Sequence, residues 1–540
     1  MSDHEAAASA VDALGTLVDT AIAELASRCT HDGKTSNELL NEHQVVAYDL
    51  AHAASAVAAS RAMLEYAEHG NVEAQLAFVY IADAFADIVG RLVGRDQDWG
   101  VDPPTLSAAH AFVSRYRAPE TLAALADQLP KVDTGPAHLP EEFDLVRDTF
   151  HRFAQDLVRP VAEHIHRENA DIPEEIITGI AELGGFGLSV PEEYGGFAAG
   201  GDSDYLAMCV ATEELSWGSL GAGGALITRP EILTRAIVRG GTEEQKHHWL
   251  PGIASGERVV GVMVTEPDYG SDAGGVKVTA TPTEGGYLVN GVKTWCTFAG
   301  RADTLMVLAR TDPDRSITHR GLSLFVVDKP PAPGHHFAFD DGRGGKLEGR
   351  AIDTLGYRGM HSYEVVFEDW FVPAENLIGL EGGVGKGFYL QMEGFENGRL
   401  QTASRAVGLM QAAFEAALEY AQDRKVFGEA VFDYQLTKAK LAKMAALICA
   451  GRQFSYSVAR QLAGGTGTLE ASMVKAYVCR AAEWVTREAM QIHGGMGYAE
   501  EFPVSRYFVD ARVLSIFEGA DELLCLRVIA RRLTERAAPR

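Results

Sequence analysis

The residues best suited to chemistry lie near the C-terminus, in Ser515-Ile516-Phe517-Glu518-Gly519-Ala520-Asp521-Glu522. Ile516 and Phe517 would shield the Glu518 carboxylate from water, the setting in which such a group serves as a general base near neutral pH. Gly519 allows close backbone approach, so its N–H could bond a substrate carbonyl beside that base. A second reading stands beside this one: an acidic N-terminal turn of a last helix running through Leu523, Leu524 and Leu526.

Two further stretches carry donors and rings. Val262-Met263-Val264-Thr265-Glu266-Pro267-Asp268-Tyr269-Gly270-Ser271-Asp272 reads as a strand entering a flexible loop. Its hydroxyls and N–H groups suit an anionic or heteroaromatic ligand. In Asn290-Gly291-Val292-Lys293-Thr294-Trp295-Cys296-Thr297, Trp295 and Thr297 would share a strand face. A large ring could pack on the indole while the threonine supplies a hydrogen bond, although a core tryptophan fits the same pattern.

The elements that must position these groups change texture along the chain. Residues 1–129 read as Ala-rich helices with a break around Trp99-Gly100-Val101-Asp102-Pro103-Pro104, and residues 130–140 as a linker. Helical signals resume from Glu141 to about Gly256, with one helix ending before Pro160 and another spanning Pro173–Leu183. From Val259 to Pro373 short alternating runs predict an antiparallel β domain with a hairpin turn at Asn290-Gly291. Amphipathic segments then predict helices over 404–422, 432–462 and 469–492. The expected domains are 1–138, 139–258, 259–377 and 378–540, in the order helical, helical, β, helical. Gln44, Leu50, Ala51, Ala54, Ala59 and Arg61 recur in register as Gln435, Leu441, Ala442, Ala445, Ala450 and Arg452, as if the first domain copied part of the last.

Composition excludes several classes. A net charge of −27 opposes binding to nucleic acid, itself a polyanion. The start lacks a basic and apolar leader, and no uninterrupted apolar run approaches the roughly 20 residues of a membrane span. The six cysteines are scattered without metal spacing, which implies free thiols, no metal and a cytoplasmic location. Gly382-Gly383-Val384-Gly385-Lys386-Gly387 is no phosphate loop: Leu380 occupies its first glycine position and Gly387 its Ser/Thr position.

Six markers in order resemble the acyl-CoA dehydrogenase family across residues 139–536. They are Pro191–Gly196, Gly241–Lys246, Val264–Pro267, Gly291–Trp295, Arg424–Gly428 and Gln491–Tyr498. The resemblance implies an α+β multidomain fold: a helical domain, an antiparallel β domain and a C-terminal helical bundle, here with an additional N-terminal all-helical domain. It implies FAD between the β domain and the C-terminal helices, with Thr265, Ser271, Trp295 and Thr297 as contacts. Arg424, Phe427, Gln491 and Gly495 match positions that reach the FAD of a neighbouring subunit, so a homo-oligomer, expected as a dimer, is implied. Phe395, Glu396 and Arg399 match the helix bordering the acyl-CoA channel, and Ser271 and Gly519 are also expected at the substrate. Glu518 matches the usual catalytic base, which takes the α-proton of a thioester while hydride leaves Cβ for flavin N5. The rival base position holds Gly398. Ala520 replaces a hydroxyl residue common in relatives. Electron-transfer flavoprotein is the implied electron acceptor. The added N-terminal domain and the lengthened loop 330–352 resemble the methylsuccinyl-CoA dehydrogenases of the ethylmalonyl-CoA pathway, which turn (2S)-methylsuccinyl-CoA into mesaconyl-CoA. A substrate with a free carboxylate needs a cation; Arg229 is the candidate, with Tyr269 as a wall or donor. Other short- or branched-chain acyl-CoA dehydrogenases, acyl-CoA oxidases and DNA-associated relatives share the fold.

Overall fold

The computed structural model describes residues 2–31, 34–101 and 109–538, without the side chains of Asp202, Ser203 and Glu396. The chain forms two compact units, residues 1–142 with 402–540, and residues 143–401.

The first unit is helical. Its long elements are α1 (Asp3–Cys29), α2 (Gln44–Ala67), α3 (Asn71–Leu92), α4 (Gln435–Ala463) and α5 (Thr468–Ile492), together with the Gly387–Asp423 helix from Thr402 onward. Ser2 and Glu5 cap α1 reciprocally, Ser2 Oγ accepting from Glu5 N at 3.2 Å and Glu5 Oε2 from Ser2 N at 2.7 Å. By length and composition α1 could cross a membrane, although Asp12, Asp19 and Glu24 interrupt its apolar residues. Its buried Val11, Leu14, Val18, Ile22 and Leu25 belong to a face that packs on α2 and α3, as in a core helix.

Alanines at 47, 51, 53, 56 and 59 let α2 pack closely against its neighbours, among them α4 and α5. The repeated residues start both α2 and α4, at Gln44 and Gln435, and these two helices pack on each other. The expected break near residue 100 is present as Gly100, left-handed at φ 64°, after the short helix Asp96–Trp99. Its Asp102, Pro103 and Pro104 lie outside the described residues.

The second unit packs helices on a sheet. Its strands are β1 (Val260–Met263), β2 (Thr279–Thr283), β3 (Gly286–Thr297), β4 (Thr304–Arg310), β5 (Leu322–Asp328), β6 (His336–Asp340), β7 (Lys346–Ile352) and β8 (Ser362–Pro373). Their order is β1-β4-β2-β3-β8-β7-β6, with β5 pairing β4. Ile232, Leu233, Ile237, Trp249 and Leu250, from helices Thr228–Gly240 and Glu243–Ala254, form one core with Val260, Met306, Leu308, Leu324 and Val326. Gln245 fixes the second helix. It completes a capping box with Thr242 and donates to the Glu375 and Leu377 carbonyls at 2.8 and 2.7 Å.

Four expectations are corrected. The sheet is mixed, because β1 runs parallel to β4. The β2–β3 turn sits at Gly285, φ 77°, whereas Asn290-Gly291 lies inside β3. Asn290 there exchanges bonds with Asp369 across a bulge in β8: Nδ2 donates to Asp369 Oδ1 at 2.8 Å, and Asp369 N to Asn290 Oδ1 at 2.9 Å. No helix ends before Pro160. Glu141–Phe153 continues through a π turn at Ala154–Val158 into Arg159–Glu168, and the wider π turn just before Pro160 accommodates a residue that offers no N–H. The lengthened loop contains a hairpin, β6–β7, that extends the sheet.

Candidate functional site

In the second unit the Thr265 loop and the Trp295 strand are joined by a buried ion pair. Lys293 Nζ donates to Glu266 Oε1 at 2.8 Å and to the Val264 carbonyl at 2.9 Å. Glu266 also accepts from the Lys277 and Val278 N–H groups at 2.6 and 2.9 Å. Thr294 N donates to the Thr265 carbonyl at 2.9 Å. Burial pushes the Lys293 ammonium below its ordinary pKa, and Glu266 opposes that drop.

This knot supports an irregularity. Between the pairs Val365–Lys293 and Tyr363–Cys296, two residues of β3, Thr294 and Trp295, face one residue of β8. Trp295 takes φ 56° at this bulge. The expected alternation is thereby broken: the indole is 55% exposed, while Thr297 is buried with its Oγ1 3.0 Å from Ser362 Oγ. Trp295 is therefore no core tryptophan. Thr265 and Tyr269 are half-buried and Ser271 is exposed. The Tyr269 N–H and carbonyl both bond Glu266, each at 3.0 Å, closing the tight turn before Ser271.

Arg229 stands in the first turn of Thr228–Gly240 and is 5% exposed, which excludes a surface arginine. Its Nη1 donates to the Ala225 carbonyl at 3.0 Å, and its guanidinium lies 5.9 Å from the centre of the Tyr357 ring. Phe395 is half-buried against the core and Arg399 is half-buried on the same helix. The Glu396 side chain lies outside the described residues. A cleft of about 750 Å³ in this unit is lined by Gln245, Trp249, Asp341 and Trp370 among others, and by none of the candidate residues.

In the first unit Glu518 precedes the last helix instead of capping it. The N-cap is Ala520, with no side-chain bond, so the acidic-cap reading fails for Glu518. Glu518 and Gly519 are both left-handed, at φ 53° and 96°, and a Cβ at Gly519 would meet Leu524 Cδ2 at 2.9 Å. A non-glycine residue held at positive φ is uncommon and marks an over-determined turn. Glu518 Oε2 is buried and has no hydrogen-bond partner among the described residues. Such an oxygen is costly to leave unmatched, and it is free to accept a proton.

Elsewhere in that unit Phe427 lies on a hairpin of two-residue strands, Lys425–Val426 with Glu429–Ala430, and Arg424 directly precedes it. Its turn residues, Phe427 and Gly428, are both left-handed, and the Phe427 ring is fully exposed. Gln491, Gly495, Met496 and Tyr498 are exposed too, beyond a stack of His493 on Tyr420 with centroids 4.2 Å apart.

The sequence reading missed the partners that hold these positions. Glu266 and Lys293 were visible inside quoted motifs as opposite charges beside the chemistry. Asp521 stood inside the quoted octapeptide as part of an acidic turn, whereas Tyr48 and His52, described below, gave no local signal.

Family models described as the N-terminal, middle and C-terminal domains of acyl-CoA dehydrogenase match residues 140–257, 261–370 and 385–534. A (2S)-methylsuccinyl-CoA dehydrogenase of Cereibacter sphaeroides is 38% identical over 551 aligned positions, covering 98% of each chain. A mitochondrial isovaleryl-CoA dehydrogenase of Solanum tuberosum is 36% identical, covering 70% of this chain and 87% of its own. The butyryl-CoA dehydrogenase structure from Megasphaera elsdenii superposes with a TM-score of 0.66 at 32% identity, covering 73% of this chain and 98% of that one.

Proposed function

From the premise that the chain belongs to the acyl-CoA dehydrogenase family, an FAD-linked oxidoreductase acting on an acyl-CoA thioester, we propose the finer reaction. It is the conversion of (2S)-methylsuccinyl-CoA to mesaconyl-CoA, with Glu518 as the base that removes the α-proton. The observation that carries the base assignment is the buried Oε2 of Glu518, without a hydrogen-bond partner among the described residues, on a left-handed turn. Similarity along the whole chain, N-terminal helices included, to a relative named for that substrate supports the substrate assignment.

The residues present fit FAD. The Trp295 indole is open at a strand bulge, and the Thr265 and Thr297 segments are cross-linked by the Thr294–Thr265 bond. An open ring beside fixed threonines suits a flat heteroaromatic system. In this reading Trp295 packs on the ring, Thr265 and Thr297 hydrogen-bond it, and Ser271 serves its polar end. FAD, when bound, supplies the acceptor for the β-hydride.

Glu518 holds the proton taken from Cα, and the N–H groups of the Glu518–Gly519 turn stabilise the enolate-like oxygen. Arg229 pairs with the distal carboxylate: a guanidinium already buried has shed most of its hydration and gains a charge-assisted bond there. Tyr269 walls the acyl end, and Phe395, Glu396 and Arg399 border the channel. Phe427, Arg424, Gln491 and Gly495 reach the FAD of a second copy in a homodimer, which accounts for a fully exposed phenylalanine on a left-handed turn. Electron-transfer flavoprotein would be the partner that accepts the electrons from bound FAD.

The test is anaerobic bleaching of the yellow protein with methylsuccinyl-, isobutyryl-, glutaryl- and butyryl-CoA. Fastest bleaching by methylsuccinyl-CoA is expected. Arg229→Gln should raise the KM for that substrate and leave butyryl-CoA unaffected; an equal effect on both removes Arg229 from the carboxylate. A tetramer by light scattering would refute the dimer.

A further inference from the structure

The segment that carries Glu518 is fastened, within its own unit, to residues 473 and 469 positions earlier in the chain. Asp521 is 6% exposed and opens the last helix. Tyr48 Oη donates to its Oδ2 at 2.5 Å, and His52 Nε2 lies 3.2 Å from the same oxygen. Cys525 Sγ donates to Oδ1 at 3.8 Å. Arg480 Nη1 donates to the Tyr48 oxygen at 3.1 Å, which orients the phenolic proton toward Asp521.

Charge states agree with this geometry. Burial pushes the His52 imidazolium down, so the ring is neutral and its Nε2–H donates to the carboxylate. Burial raises the Cys525 thiol, which keeps its proton. Burial also works against the Asp521 carboxylate, but the bonds from His52 and Tyr48 outweigh it and hold Asp521 below its ordinary value.

The loop is pinned at two more points. Asp521 N donates to the Ser515 carbonyl at 3.0 Å, and Lys475 Nζ to the Gly519 carbonyl at 2.6 Å. Between these anchors stand the two consecutive left-handed residues, Glu518 and Gly519. A free loop does not keep a glutamate in that conformation.

We propose that Tyr48 and His52, on the N-terminal helix α2, are positioning residues: by holding Asp521 they fix the turn that presents the Glu518 carboxylate. The proposal rests on Glu518 being the base. It gives the N-terminal domain a part in the reaction without any contact to substrate. His52, Asp521 and Cys525 also have the donor set of a three-ligand metal site. The hydrogen-bonded reading is favoured because Asp521 Oδ2 already accepts from Tyr48.

The experiment compares Tyr48→Phe, His52→Leu and Tyr80→Phe in the full-length, FAD-loaded protein. Tyr80 Oη donates to Tyr477 Oη at 2.8 Å, another buried hydroxyl bridge from the N-terminal helices but one unconnected to Asp521. Substrate is the acyl-CoA that bleaches the wild type fastest. Tyr48→Phe and His52→Leu should lower kcat about tenfold with KM changed less than twofold, the size of one lost hydrogen bond to a charged group. The isotope effect from an α-deuterated substrate should rise, while Tyr80→Phe keeps wild-type values. Wild-type kcat and isotope effect in both folded variants would overturn the proposal. Equal losses in Tyr80→Phe would reduce it to general domain packing. One equivalent of zinc in the purified protein, lost in Cys525→Ser, would also overturn it. Glu518→Gln separates the premise: if that variant bleaches at the wild-type rate, the base assignment fails whatever Tyr48→Phe does.

Discussion

Trp295 and Glu518 both stand in left-handed backbone, at φ 56° and 53°, but they are held there by different means. Trp295 sits at a bulge whose support is close in sequence: Lys293 and Glu266 are 27 positions apart and buried together. Glu518 sits on a turn whose support includes an aspartate gripped by side chains from the opposite end of the chain. A strand bulge can be stabilised by its own sheet neighbours, because the ladder brings local residues into contact. A turn ahead of a helix has few neighbours of its own and must take anchors from whatever packs beside it. The N-terminal helices supply them.

The largest expected effect tests the chemical end of this comparison. Glu518→Gln should retain FAD and lower the rate of substrate-driven bleaching by about 10²–10⁴-fold, the worth of a positioned general base. An undiminished rate would remove Glu518 from the reaction. Next is the sheet-side support. Lys293→Met leaves Glu266 buried and uncompensated, so denaturant unfolding should show a loss of about 3–5 kcal/mol. Replacing both partners with apolar residues should recover most of it. A cost below about 1 kcal/mol for the single change would mean that the ion pair does not hold the bulge.

Gly519→Ala forces a Cβ into positive φ and against Leu524, and should cost about 1–3 kcal/mol together with a fall in kcat. The smallest effect is acid titration. Asp521 is held below its ordinary pKa of 3.8, so the unfolded chain binds more protons between the two values and stability rises with pH there. Its contribution is full above 3.8 and is lost as pH falls through the lower, folded value. The stability gap between wild type and Asp521→Asn should therefore be constant above that point and close below it. A gap that persists unchanged in acid would show that Asp521 acts through packing alone.

Much of this was legible in the chain. Alanine-rich amphipathic runs predicted the helices, and alternating β-branched runs predicted most of the strands, because burial on one face imposes those periods locally. The departures share a cause. Asn290-Gly291 has the residues of a hairpin turn, but pairing with β8 carries it through as strand, where Asn290 bonds Asp369. Pro160 reads as a stop, but the π turn just before it lets the helix run on. In the site, Trp295 and Glu518 were found from their own segments, whereas their unusual backbone was not, since nothing in the residue type of a tryptophan or glutamate asks for positive φ.

The sequence by itself determined the family, the helix–sheet–helix order and the two segments that bear the chemistry, because these follow from motifs and from short-range hydrophobic period. Only the tertiary structure decided that Arg229 is buried, that the Trp295 indole is open, and that Tyr48 and His52 hold Asp521. Burial and hydrogen bonding are properties of which residues meet in space. A partner 473 positions away leaves no local trace until the chain has folded.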